Sequence, residues 1–186
     1  MYDFKADKII VRDTEYTCRE WSQERNWSWP NEYMELVEIW AIIVDSKTLQ
    51  ELDHFHRFVK PKLNPKLSDY FINLTWINQN DVDENWKGFI TVLQEFKKWS
   101  WWLDAYSYGR DEEILKINCE LNQIEFSLKN GFFDIRDIFK SFWIPAEKYT
   151  SWTINQYFGI LNDGVEHNAL SDVRNIIKSL KKLYLK

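Results

Sequence analysis

The stretch that most constrains the fold of this chain is residues 9–18, whose sequence is Ile-Ile-Val-Arg-Asp-Thr-Glu-Tyr-Thr-Cys. It is typical of a buried strand whose end carries two carboxylates, Asp13 and Glu15. Side chains alternate between the two faces of a strand, so residues two apart point the same way. Two like charges directed at one spot resist ionising together unless a cation lies between them. The stretch therefore predicts half of a metal site, with the other half supplied from elsewhere in the chain.

Size and composition indicate a single domain spanning residues 1–186, with 45% hydrophobic residues and a net charge of −5. The net negative charge argues against a protein that binds along long stretches of nucleic acid, although it allows one that binds only a chain end. The two cysteines, Cys18 and Cys119, have no CxxC companion and suit a reducing compartment, so we expect a cytoplasmic protein. No apolar run reaches transmembrane length, and no membrane partner is expected.

The hydrophobic periodicity predicts strands and helices that alternate after an initial hairpin. The predicted strands are residues 8–13, 34–45, 49–60, 104–108 and 132–135. The predicted helices are residues 67–74, 84–99, 111–122, a segment ending at 142, 153–161 and 168–184, while residues 19–32 form a loop. This order is typical of an α/β domain with a mixed sheet.

A second informative feature lies at the start of the last predicted helix. Asp172 falls between Ala169 and Val173, at the edge of the apolar stripe that faces the sheet. A carboxylate is costly to bury there unless it is paired or bound to metal. His167 lies just before this helix, and Asp111 follows a strand end, where α/β sheets collect their active sites. Each residue alone favours a structural role, but their order along the chain indicates one site.

In this order the residues resemble those of the DEDDh 3′→5′ exonucleases, a branch of the ribonuclease H-like superfamily. Asp13 and Glu15 match the first motif, Asp111 the second, and His167 with Asp172 the HxAxxD third motif. Residues 55–61, 65–69, 74–77 and 81–83 further resemble the branch that trims the 3′ ends of histone messenger RNA and small interfering RNA. The resemblance covers nearly the whole chain and implies a ribonuclease H-like mixed five-stranded sheet flanked by helices.

The resemblance also implies a mechanism. The four carboxylates would hold two Mg²⁺ or Mn²⁺ ions about 4 Å apart, and His167 would take the proton from the attacking water. The expected product is a 5′-mononucleotide released from a single-stranded 3′ end, with RNA favoured over DNA. The implied substrate contacts are Tyr16, Thr17, Leu74, Thr75 and Trp76. The alternative from another class is a nucleic-acid-binding or regulatory module that keeps the fold but has little activity.

Two tryptophans depart from the family pattern. Trp40 and Trp76 stand where the family usually has glycine, which permits close backbone approach or unusual dihedral angles. For Trp76 three interpretations remain open: it stacks on a base, it narrows the pocket, or it packs against the neighbouring helix. These departures concern substrate fit, because neither removes a predicted metal ligand.

Other aromatic and basic residues leave further alternatives open. The loop of residues 19–30 interleaves arginine with tryptophan, which suits single-stranded nucleic acid, while the alternative is that its rings cover a core edge. Its relevant residues are Arg19, Trp21, Arg25, Trp27 and Trp29. Residues Trp99, Trp101 and Trp102 are expected to fill core, with a homodimer contact as the alternative. The pair His54 and His56 is expected to lie on the surface or to pack, because no further ligand is near in sequence.

Overall fold

The computed structural model describes residues 4–109 and 111–184, with a mixed sheet whose strand order is β4-β3-β2-β1-β5-β6. The strands are β1 (Lys8–Tyr16), β2 (Leu36–Asp45), β3 (Glu51–Val59), β4 (Trp86–Lys87), β5 (Ala105–Ser107) and β6 (Phe132–Asp134). β1, β2 and β3 pair antiparallel, whereas β5 and β6 run parallel to β1, and β4 runs parallel to β3. The expected mixed five-stranded sheet flanked by helices is confirmed, and β4 adds a two-residue edge strand.

Seven α-helices are described, with a 3-10 turn at Ala146–Lys148. They are α1 (Asp69–Thr75), α2 (Gln79–Asn85), α3 (Phe89–Trp99), α4 (Asp111–Leu121), α5 (Arg136–Ser141), α6 (Ile154–Tyr157) and α7 (Ala169–Tyr184). The prediction over residues 84–99 began too early, because residues 86–87 pair with β3 and Gly88 precedes the first turn of α3. α2 was missed because it buries only Val82 and has no apolar stripe. Within the described residues, no helix combines the length and apolar character needed to cross a bilayer.

The alternation of β1 divides the core into two. Ile9 and Val11 face α7 and pack with Val173 and its neighbours, whereas Ile10 faces the side covered by α3 and α4. Asp13 and Glu15 continue the face of Ile9 and Val11, so the fold directs both carboxylates toward α7. The predicted same-face pair is therefore held by the packing of β1 itself.

The tryptophan cluster at the end of α3 is a correction to the sequence prediction. Trp99 packs at the edge of the core, but Trp101 and Trp102 are 79% and 60% exposed and do not fill it. Both lie just beyond the C-terminus of α3 with positive φ, in a turn that directs their side chains outward. These two tryptophans therefore add to the surface of the protein and do not enlarge its core.

Candidate metal centre and substrate cleft

Three carboxylates from two elements converge at the end of β1. Asp13 and Glu15 come from β1, and Asp172 comes from the first turn of α7. One oxygen from each lies within 4.8 Å of the other two. Asp172 is only 3% exposed, and its Oδ1 is buried without a hydrogen-bond partner among the described residues. A buried oxygen of this kind needs a cation or water, and hard divalent cations prefer oxygen ligands.

Burial makes this carboxylate cluster hard to ionise. Desolvation, followed by the charges of Asp111, Asp172, Glu15 and Glu38, holds the pKa of Asp13 well above its ordinary value. Desolvation and neighbouring carboxylates likewise raise the pKa of Glu15, and burial raises the pKa of Asp172 to about 7. The cluster therefore favours any bound positive charge, and its donor set fits Mg²⁺ or Mn²⁺.

The fourth predicted ligand, Asp111, lies in the same cleft but outside the group of three. It is the first residue of α4, and Gly109, with a φ of 111°, turns the chain into that helix. Its Oδ1 accepts a hydrogen bond from the Thr14 hydroxyl at 2.5 Å. Burial raises the pKa of Asp111, while the charge of Arg12 and the hydroxyls of Thr14 and Ser107 partly oppose that rise. The structure thus brings Asp13, Glu15 and Asp172 together, while the buried Asp111 is hydrogen-bonded to Thr14 on the opposite face of β1.

His167 lines the cleft opposite β1. It is exposed, has a φ of 57°, and directly precedes Asn168, whose side-chain oxygen accepts a hydrogen bond from the Ser171 amide. That cap fixes the start of α7, so the positions of His167 and Asp172 are linked. The cleft has a volume of about 230 Å³, and all five predicted catalytic residues line it.

The predicted substrate contacts divide into two groups. Tyr16, Leu74 and Thr75 line the cleft beside the carboxylates. Thr17 faces elsewhere, because its hydroxyl donates to the Tyr33 carbonyl. Trp76 is not part of the described cleft lining: it ends α1 with a φ of 64° and is 71% exposed. Of the three interpretations of Trp76, the structure therefore does not favour the two in which its ring narrows the cleft or packs against the neighbouring helix.

Glu38 was not predicted from the sequence. It lies opposite Glu15 in the β1–β2 register and is 3% exposed. Its Oε1 lies 2.8 Å from His56 Nε2, while its Oε2 is buried with no hydrogen-bond partner among the described residues. The ring of His56 also stacks on Trp40, with centroids 4.2 Å apart, so the packing prediction for His56 holds. Glu38 is an acidic residue in the otherwise apolar strand β2. The antiparallel register of β2 with β1, which sets Glu38 opposite Glu15, was the signal that could have revealed it.

Comparison with known proteins places this chain in a family. A family model described as an exonuclease and named for RNase T matches residues 10–180. The chain is 29% identical over 189 residues to 3′-5′ exoribonuclease 1 of Homo sapiens, a match that covers 95% of this chain and 52% of the relative. It is 28% identical over 181 residues to the probable 3′-5′ exonuclease KapD of Bacillus subtilis, covering 95% of this chain and 84% of that protein. The chain thus spans about half the length of 3′-5′ exoribonuclease 1.

Solved structures agree with that assignment. The nuclease domain of 3′hExo, described as a DEDDh family member bound to rAMP, superposes with a TM-score of 0.84 at 25% identity, covering 99% of this chain and 94% of that one. A 3′-exonuclease in a structure of histone mRNA stem-loop recognition gives a TM-score of 0.83 at 25% identity, covering 98% and 65% of the two chains. With a family match over most of its length and the acidic cleft in place, the chain belongs to the RNase T exonuclease family.

Proposed function

We propose that this protein is a divalent-metal-dependent 3′→5′ exonuclease that releases 5′-mononucleotides from single-stranded RNA ends. The observation that carries the proposal is the convergence of Asp13, Glu15 and Asp172 in a cleft that His167 also lines, in a chain of this family. The names of similar proteins, an exoribonuclease and a nuclease bound to rAMP, favour RNA over DNA.

The chain's residues have distinct roles in this proposal. Asp13, Glu15 and Asp172, joined by Asp111, would hold two Mg²⁺ or Mn²⁺ ions, which supply Lewis-acid activation of water and stabilise the charge of the phosphodiester. His167 accepts the proton of the attacking water from the open side of the cleft. Tyr16, Leu74 and Thr75 contact the terminal nucleoside and orient its phosphate toward the carboxylates.

A second candidate is a nucleic-acid-binding module with the exonuclease fold and little activity. The position of Asp111 favours it, because its Oδ1 is engaged by Thr14 instead of joining the other three carboxylates. Four carboxylates that line one cleft are nevertheless a poor surface for binding an anionic strand without metal, and this charge favours the enzyme.

The test is a time course on 5′-labelled RNA and DNA oligonucleotides with Mg²⁺, Mn²⁺ or EDTA. The proposal predicts shortening from the 3′ end that is lost in EDTA and in Asp13→Asn, with RNA cut faster than DNA. Asp7→Asn is the matched control, because Asp7 is exposed and far from the cleft in its pairing with Lys47. Binding without shortening in either metal would instead establish the module.

Location and assembly are also part of the proposal. The cysteines Cys18 and Cys119 are both free, which suits the proposed cytoplasmic location. The exposed rings of Trp101 and Trp102 offer the surface for a homodimer. Sedimentation of the wild type and of Trp101→Ser tests the second point: a monomeric wild type would dismiss it.

A further inference from the structure

A second cavity adjoins the catalytic cleft. It has a volume of about 360 Å³, and we call it the loop cavity because the loop after β1, residues 17–33, forms much of its wall. Four residues line both spaces: Cys18, Arg19, Ser22 and Trp27. The two spaces therefore share one wall, which a substrate emerging from the cleft would meet.

That wall is held by interactions within the loop. Trp27 Nε1 donates to the Thr17 carbonyl at 3.0 Å, and its ring lies 5.6 Å from the ring of Tyr16. Arg25 Nε donates to Glu32 Oε2 at 2.9 Å, and the Ser22 hydroxyl donates to Glu32 Oε1 at 2.9 Å. These contacts lie within the chain itself and hold the Trp27 ring in place, which lowers the entropic cost of ordering this wall when a strand binds.

The charges of the two spaces differ. The catalytic cleft is lined by the four predicted metal ligands, which are all acidic. The loop cavity is lined by Arg19 and Lys66, neither of which has an ion-pair partner among residues 4–109 and 111–184, and by Asp69. Glu32 in this cavity is already neutralised by Arg25. A strand that passes from the acidic cleft into the loop cavity therefore meets Arg19 on the shared wall and Lys66 beyond it.

We propose that the loop cavity binds the second nucleotide of the substrate, the one on the 5′ side of the scissile phosphate. Its base stacks on Trp27, and its own phosphate lies near Arg19 and Lys66. Aromatic rings beside cations are the usual means of binding single strands without sequence preference. A paired base is not free to reach Trp27, so the substrate class is a 3′ end with at least two unpaired nucleotides. This inference rests on the proposed exonuclease function.

The same geometry separates the tryptophans of the loop. Trp21 lines neither space and is 63% exposed, while Trp29 stacks on Arg25 at 3.9 Å and is 61% exposed. The sequence-based hypothesis gave all three rings the same role. In the structure only Trp27 lies between the two spaces, so Trp21 serves as an internal control for it.

The experiment compares binding with turnover. Affinity is measured by anisotropy of a 5′-fluorescein ten-nucleotide RNA in Ca²⁺, and turnover on that RNA in Mn²⁺ is compared with turnover on the p-nitrophenyl ester of thymidine 5′-monophosphate, which has no second nucleotide. We expect Lys66→Ala and Trp27→Leu each to weaken RNA affinity about 5- to 20-fold. The ratio of kcat/KM for RNA to that for the ester should fall by a similar factor.

Two control variants make the result specific. Lys66→Arg should restore most of the affinity, because it keeps the charge, and Trp21→Ala should bind RNA as the wild type does. Unchanged RNA affinity in Lys66→Ala, or equal losses in Lys66→Ala and Trp21→Ala, would overturn the inference. A wild type that hydrolyses neither substrate would refute the exonuclease function, while the anisotropy series would still decide whether the loop cavity binds RNA.

Discussion

Asp172→Asn should stabilise the metal-free protein while abolishing its activity. Burial raises the pKa of Asp172 from an ordinary value of 3.8 to about 7. That difference of roughly three pH units corresponds to about 4 kcal/mol of free energy of unfolding at about 1.4 kcal/mol per unit. The amide that replaces the carboxyl is itself a buried polar group with a desolvation cost, so we expect a gain of about 2–4 kcal/mol.

The sign of the pH dependence follows from which state holds the proton. At pH values well below 3.8 the Asp172 carboxyl is protonated in both states, and wild type and variant should differ little. As the pH rises from 4 to 7, the unfolded chain releases this proton while the folded chain retains it, so the wild type loses stability. Above pH 7 the difference should become constant.

Urea unfolding in EDTA, followed by tryptophan fluorescence at half-unit steps from pH 4.5 to 8.5, measures this gain. Adding Mn²⁺ should stabilise only the wild type, by about 2.7 kcal/mol at 100 times its Kd. Asp7→Asn is the control, because its side chain is 89% exposed. A gain that is the same at every pH, or a wild type that is more stable than Asp172→Asn at pH 8 in EDTA, would refute the reasoning.

Three further substitutions test other buried charges. Arg12→Met removes a fully buried guanidinium that has no hydrogen-bond partner within the described residues. Urea unfolding should therefore show a free energy of unfolding about 1 kcal/mol higher than that of the wild type. A lower value would show that the charge interactions of Arg12 outweigh its desolvation cost. Glu38→Gln should relieve repulsion at the carboxylate cluster and raise the apo melting temperature in EDTA, and an unchanged melting temperature would show that Glu38 is neutral there. Arg25→Ala leaves Glu32 without its cation, so chymotrypsin should cut residues 19–33 faster, and an unchanged cleavage rate would contradict the role given to this pair. Because Arg25 holds the pKa of Glu32 near 2, the wild-type loop should resist cleavage at neutral pH and loosen only as the pH falls toward 2.

The predictable part of this molecule is the part set by periodicity. The alternation of side chains along a β-strand predicted Asp13 and Glu15 on one face of β1. The apolar stripe around Val173 predicted that Asp172 faces the sheet. Both patterns arise from local backbone geometry, so they can be read without knowing the neighbours. Asp111 was predicted from a different signal, its position just after a strand end, and it begins α4.

The parts that escaped prediction depend on contacts between distant residues. Glu38 was hidden because it lies in an otherwise apolar strand, and only the register with Glu15 brings it to the cluster. Asp111 is drawn to Thr14 by a hydrogen bond across 97 residues of sequence. The exposure of Trp76 follows from a positive φ at the end of α1, which tryptophan composition does not signal.

The two-sided character of β1 also links folding to catalysis. Its odd-numbered residues from Ile9 to Glu15 face α7, and its even-numbered residues face α4. A slip of one residue would turn Arg12 and Thr14 toward α7 and bury two carboxylates in the opposite core. A divalent ion would bind only the chain in which β1 has the correct register. Metal binding would therefore stabilise this register over the slipped one, and it is the same register that the hydrophobic core requires.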